Sequence, residues 1–201
     1  MLTLLMLRRG LELGRAGSES FKTTQSLQDA HVGIVGLGRI GENVARMYKS
    51  MGCARVSYYN RTRKPELESE IRIDYMSPQE LISTCYVISD HLSSGAGELI
   101  TKELLDKTKE DSIFICTGAD NSFDKDALYD LIVSGHLRAA FDLHGTAPDD
   151  RYRELPIYKC YHSNQNAAYN THAANRIASD MATESIINIL TKGADKYVVN
   201  A

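Results

Sequence analysis

Val32-Gly33-Ile34-Val35-Gly36-Leu37-Gly38-Arg39-Ile40-Gly41 is the stretch on which the reading of this chain turns. An apolar run of strand character meets three glycines at G-x-G-x-x-G spacing, and a pattern of helical period follows. In such a strand, turn and helix, Gly36 permits the tight turn, Gly38 lets the backbone approach a pyrophosphate, and Gly41 lets the helix pack close on the strand. The free N–H groups of Arg39 and Ile40, with the positive end of the helix, would hold the phosphates. Glycine-rich turns are common. This one carries weight because a second strand, Val56-Ser57-Tyr58-Tyr59, follows at the expected distance.

The remaining chain continues the alternation. Ser77-Pro78-Gln79-Glu80 places a capping Ser, a Pro at the first helical position and a Glu three residues after the Ser, which predicts a short helix over 78–85. Strands are expected at Tyr86–Ser89, Ile113–Thr117, Ala139–Asp142 and Ile157–Cys160, with a weak one around Ile71–Ile73. Helical segments are expected near 101–107 and 124–135, and a long helix over roughly 170–191. Ile113–Thr117 is the continuous apolar run of a parallel strand covered on both faces. The sum is a doubly wound, Rossmann-type α/β domain over residues 31–193, with helices on both faces of a mostly parallel sheet. Residues 1–16 are expected to form a helix, 17–30 a polar connection and 194–201 a tail.

A chain of 201 residues, 43% hydrophobic and 24% charged, falls within the size of one domain with a sizeable core. The net charge of −3 and the lack of a long basic run argue against a nucleic-acid surface. The cysteines at 53, 85, 116 and 160 show neither CxxC nor zinc spacing, so no metal is expected and a reducing, cytoplasmic setting fits. The apolar start, Met1 to Leu7, precedes Arg8 and Arg9 where a secretion signal would have its charges first, and it is too short to span a membrane. Leu4, Leu5, Leu7, Leu11 and Leu13 give that helix a broad apolar face, for which a partner is expected: a second copy of the chain, or a domain outside it.

These pieces, in order and spacing, resemble the nucleotide-binding domain of the D-isomer-specific 2-hydroxyacid dehydrogenases, of the glyoxylate and hydroxypyruvate reductase kind. The matching segments are Val32 to Gly41, Asn60 to Pro65, Asp90-His91-Leu92, Leu104 to Thr117, Asp124 to Leu128, Ser134 to Leu137 and Ala139 to Asp142. The resemblance implies a nicotinamide cofactor. It also implies that most of the substrate domain is missing, the chain being either a fragment or a natural stand-alone domain. Where the second strand ends, a carboxylate would accept the ribose hydroxyls of NAD and repel a 2′-phosphate. Here Asn60 stands there, followed by Arg61, Thr62, Arg63 and Lys64, so NADP(H) is the preferred cofactor and NAD(H) the other candidate. By the same resemblance Asp142 binds the nicotinamide carboxamide, Thr117 and Gly118 line its pocket, and His91 and Leu92 contribute from the neighbouring strand end. The loop Ser93 to Gly97 is shorter than the family's and lacks its prolines.

The catalytic positions depart from the family. Reducing a 2-keto acid needs a cation for the carboxylate and an acid/base supported by a nearby acid. Ala119 takes the position of the family's arginine and Ala147 that of its glutamate. The family's histidine falls on His162 counted forward from Pro156, or on Asn166 counted back from the last helix. His144 and His172 rank lower. Two functions follow: an oxidoreductase domain completed by groups outside this chain, or a pseudoenzyme that binds NADP(H) to regulate or scaffold a partner.

Overall fold

A computed structural model describes residues 1–13, 24–143, 148–163 and 170–197. Seven strands form one all-parallel sheet in the order β3-β2-β1-β4-β5-β6-β7. They are β1 (His31–Val35), β2 (Arg55–Tyr59), β3 (Asp74–Tyr75), β4 (Val87–Asp90), β5 (Ser112–Cys116), β6 (Leu137–Phe141) and β7 (Cys160–His162). The helices are α1 (Leu2–Leu7), α2 (Gly10–Leu13), α3 (Arg39–Ser50), α4 (Pro65–Ile71), α5 (Pro78–Thr84), α6 (Lys102–Leu105), α7 (Lys125–Ser134), α8 (Asp150–Arg153) and α9 (His172–Lys192).

The chain leaves β1 toward β2 on one side and later adds β4 on the other. Strand order therefore reverses between β1 and β4, and the carboxyl ends of these two strands open a crevice. Every residue of β5 and β6 is buried, as strands covered on both faces require. One core layer gathers Leu81, Ile88, Phe114, Phe123, Phe141 and Tyr152. The other holds Met6, Ile34, Ala45, Tyr58, Val87 and Ile115. At roughly 1.5–3 kcal/mol for each large apolar side chain buried, these two layers supply the main driving force for the fold.

The Ser77 capping box forms as expected: Ser77 Oγ accepts from the Glu80 N–H, and the Glu80 carboxylate accepts from the Ser77 N–H at 3.0 Å. Three expectations shift. The third strand lies at Asp74–Tyr75, because α4 runs on to Ile71 and ends with Arg72 in the left-handed region at φ 61°. The seventh lies at Cys160–His162 and not Ile157–Cys160, because the Lys159 and Cys160 N–H groups close a turn on the Pro156 carbonyl. The expected helix over 1–16 is broken: Arg9, at φ 47°, separates α1 from α2 and sends its guanidinium to Glu12 and Asp111. Residues 14–23 and the tail beyond 197 lie outside the described residues.

The apolar face of this segment also differs. Leu2, Met6 and Leu7 are buried against the chain's own sheet, whereas Leu4 is exposed and Leu5, Leu11 and Leu13 are only partly covered. Buried Arg138 ties α1 down by donating to the Met6 carbonyl. None of the residues of α9 is buried, so Ile177, Ile186, Ile187 and Leu190 face solvent. Among the described residues no helix is long and apolar enough to cross a membrane.

Candidate dinucleotide site

The turn after β1 has the geometry its glycines require. Gly36 lies at φ +90°, where a side chain would be strained, and its N–H donates to the Tyr59 carbonyl at 2.9 Å. A Cβ on Gly41 would stand 2.1 Å from the Gly36 carbonyl oxygen, so helix and turn touch backbone to backbone. A Cβ on Gly38 would meet nothing within 4 Å: the space above it is open. Gly38 also caps α3 without a side-chain hydrogen bond, which leaves the first-turn N–H groups, those of Arg39 and Ile40 included, directed at that space. A pyrophosphate fits this cradle.

At the end of β2, Asn60 is fastened on both sides. Its Oδ1 accepts from the Leu37 N–H at 3.2 Å, and its Nδ2 donates to the Thr62 carbonyl at 2.8 Å. The carboxamide thus braces the glycine turn. The basic residues beyond it divide into two kinds. Arg63 donates through Nε and a terminal nitrogen to both oxygens of Glu68, at 2.8 and 2.7 Å, and lies over the Tyr75 ring at 5.4 Å. Glu68 also accepts from the Tyr58 hydroxyl at 2.7 Å. The Arg63 fork, then the Tyr58 hydroxyl, hold the Glu68 carboxyl down to about 2, so the pair is charged at any ordinary pH. Arg61 is exposed, and neither it nor Lys64 has an ion-pair partner among the described residues.

The other end of the crevice is a cleft of about 480 Å³ walled by His91–Ser94, Thr117–Asp120, Ile40 and Leu143. Its two main walls are joined. The Ala119 N–H donates to the Leu92 carbonyl at 3.0 Å, Asn121 donates to the Ser94 carbonyl at 3.0 Å, and a Cβ on Gly118 would stand 2.4 Å from the Leu92 oxygen. Gly118 is needed for this approach. The His91 ring bridges the Ser89 and Thr117 hydroxyls at 2.9 Å each. Burial pulls its pKa down to about 4, so the ring is neutral, one nitrogen donating and the other accepting. The short loop after His91 brings Ser93 and Ser94 into the wall.

Ile40, His91, Thr117 and Gly118 also border a groove of about 530 Å³ that runs along α3. Asp142, Tyr161 and Ser163 line it. Asp142 is 7% exposed, and its N–H donates to the Cys116 carbonyl at 3.0 Å, which fixes the end of β6 beside the end of β5. His162 is placed elsewhere. Strand alternation turns Tyr161 and Ser163 to the groove, and His162 to the opposite face with Cys160. There burial, then the charge of Arg153, lowers its pKa, and its Nδ1 is buried without a hydrogen-bond partner among the described residues. His162 does not line the cleft. His144, Ala147 and Asn166 lie outside the described residues, and His172 opens α9 on the surface.

Sequence reading assigned no part to Asp90, Ser122, Ser89 or Tyr48. Tyr48 joins Thr3 at 2.6 Å and also bonds Ser89, so a chain of hydroxyls runs from α1 to His91. The available signal was polarity out of place: Ser89-Asp90 interrupts an otherwise apolar strand.

Fold and crevice together are those of a Rossmann-type dinucleotide-binding domain. Residues 4–174 match the model of the NAD-binding domain of D-isomer-specific 2-hydroxyacid dehydrogenases, and the chain belongs to that family. It is 34% identical over 133 residues to human glyoxylate reductase/hydroxypyruvate reductase, an alignment covering 65% of this chain and 40% of that protein. It is 30% identical over 164 residues to the glyoxylate reductase of Aeropyrum pernix, covering 80% of this chain and 49% of that one. The chain thus spans half or less of these relatives' length. Among solved structures, a D-lactate dehydrogenase from Treponema pallidum shares the fold with a TM-score of 0.82 and 23% identity, over 96% of this chain and 64% of that one.

Proposed function

We propose that this chain binds NADP(H) in preference to NAD(H), with the adenosine 2′-phosphate held by Arg61 and Lys64. The observation that carries the reading is the end of β2. Asn60 offers no carboxylate to the ribose hydroxyls, its amide being tied to Leu37 and Thr62, while Arg61 stands uncompensated beside it. Arg63 contributes little to phosphate affinity, since Glu68 already neutralises its fork. Titration with NADPH and NADH tests the assignment: NADPH should bind at least tenfold tighter, and equal affinities would defeat it.

For turnover, the reading is a domain of a D-2-hydroxyacid dehydrogenase-like oxidoreductase whose usual arginine and glutamate are replaced by Ala119 and Ala147. Bound nicotinamide would supply hydride. The chain's own groups would cradle the phosphates at α3, and Asp142 and Thr117 would orient the ring. The second reading, a pseudoenzyme that reports NADP(H) occupancy to a partner, is favoured by two placements: Ala119 stands in the cleft wall with no charge, and His162 lies on the face of the sheet away from the groove, within reach of the Arg153 charge. An assay of NADPH oxidation with a panel of 2-keto acids separates them, and measurable turnover by this chain excludes the inert reading. Pairing of two copies is proposed through Met1 and Leu4, which stay exposed while Leu2, Met6 and Leu7 serve the chain's own core. Sedimentation of the full chain checks it. A reducing, cytoplasmic setting is proposed on four buried thiols with no disulfide between them.

A further inference from the structure

Behind the cleft, its two walls are fastened at one buried point. Asp90 ends β4 with its carboxyl on the face opposite the His91 ring, and it is fully buried. Oδ1 accepts from the Leu92 N–H at 3.0 Å. Oδ2 lies 2.5 Å from Ser122 Oγ and 3.4 Å from Cys116 Sγ. Ser122 Oγ lies in turn 2.7 Å from the Ala119 carbonyl oxygen. The Ser122 carbonyl accepts from the Leu99 and Ile100 N–H groups, which close the 93–99 segment. Both walls therefore meet at Ser122.

A hydroxyl carries one proton. Two oxygens stand within hydrogen-bonding distance of Ser122 Oγ, and neither a carboxylate nor a carbonyl can donate to it. The Cys116 thiol reaches the Ala119 oxygen only at 3.8 Å, and a thiol donating there would still leave a Ser122 lone pair facing that oxygen at 2.7 Å. With Asp90 ionised, one of the two acceptors would face a serine lone pair at close range, away from water. A proton on Asp90 Oδ2 satisfies every group. Oδ2–H donates to Ser122, Ser122 donates to Ala119, the Leu92 N–H donates to Oδ1, and the thiol donates weakly to Oδ2.

We propose that Asp90 is a neutral carboxylic acid at neutral pH, and that in this form it is the positioning residue that joins the 117–122 wall of the cleft to the end of β4. Burial acts in the same direction, raising its pKa, and the groups acting against it are hydrogen-bond donors, none a cation. The neighbouring charges agree. From β5 the Cys116 thiol is itself pushed well up by burial and so carries no charge, and Asp120 in the following loop adds negative charge that Lys125 of α7 pairs at 2.8 Å. His91, next in the chain, turns to Ser89 and Thr117 and is neutral. A carboxyl whose pKa is raised on folding contributes fully below its unfolded value, and that contribution is lost as pH rises through the folded value. The cleft walls are thus held by a proton that alkali removes.

Asp90→Asn in the full chain stands in for the neutral acid, its carbonyl accepting from Leu92 and its amide donating one N–H to Ser122 and turning the other to the Cys116 sulfur, a weak acceptor. Its melting temperature at neutral pH should equal or exceed the parent's, with the margin growing as pH rises, whereas Ser122→Ala should melt several degrees lower. The parent's infrared spectrum at neutral pH should carry the carbonyl band of a protonated acid, absent from Asp90→Asn. Hydrogen exchange at the Leu92 and Ala119 amides, corrected for intrinsic pH dependence, should lose protection with rising pH in the parent and keep it in Asp90→Asn. None of these readouts involves a dinucleotide, so they stand apart from the NADP(H) reading. An Asp90→Asn chain that melts several degrees lower or fails to fold, or a parent without the acid band, overturns the proposal.

Discussion

The two ends of the crevice, the one at the glycine turn and the one between the ends of β4 and β5, are made of different material. At the first, the surface is backbone: a left-handed glycine, a helix start without a side-chain cap and a helix packed so close that a Cβ on Gly41 would stand 2.1 Å from the Gly36 carbonyl oxygen. At the second, side chains from β4, β5 and their loops meet: His91 between two hydroxyls, Asp90 against Ser122 and Asp142 at the end of β6. Backbone recognition follows from glycine spacing and leaves the ligand's chemistry open. Side-chain recognition selects the chemistry, and it is at this end that the uncharged Ala119 stands in the cleft wall.

The contrast breaks first at the glycines. Gly41→Ala should cost about 3 kcal/mol or more, because its methyl must displace backbone and not a flexible side chain, and a urea titration measures it. Gly38→Ala should leave the urea midpoint unchanged, since its methyl meets nothing in the folded chain, yet weaken both dinucleotides by roughly tenfold or more. If it weakens neither, the open space is not the phosphate site. Arg61→Ala should weaken NADPH by roughly tenfold and leave NADH unchanged, the loss of about one charge-assisted hydrogen bond. The smallest effect is expected at His162→Ala, whose dinucleotide affinities should stay within about twofold of the parent's because the ring faces the other side of the sheet. A large change there would draw β7 into the cleft.

How far the site could be read in advance follows the same division. The Gly36 turn, the alternation of strands and helices and the Ser77 cap were legible, because each is a local rule acting within a few residues. The third strand was expected too early, over residues that α4 and the left-handed Arg72 occupy, and the start of β7 too early because of the turn at Pro156, since both depend on where a helix or turn stops. The basic run 61–64 read as uniform charge. Its division into a free and a paired arginine depends on Glu68 of α4, which folds back onto Arg63. Asp90 and Ser122 are 32 positions apart and meet only through the packing of β4 against β5. The orientation of His162 required the register of β7 on β6, which a shift of one residue would reverse.

The pairing of Arg63 with Glu68 beside an unpaired Arg61 bears on ionic strength. An exposed lone charge is screened over a Debye length of about 8–10 Å at physiological salt, whereas N–H groups aimed from a helix start act at contact. Added salt should therefore narrow the gap between the two cofactors by weakening NADPH more than NADH, which lacks the 2′-phosphate. On the proposed reading, discrimination between the two cofactors would be a property of the buffer as much as of the fold.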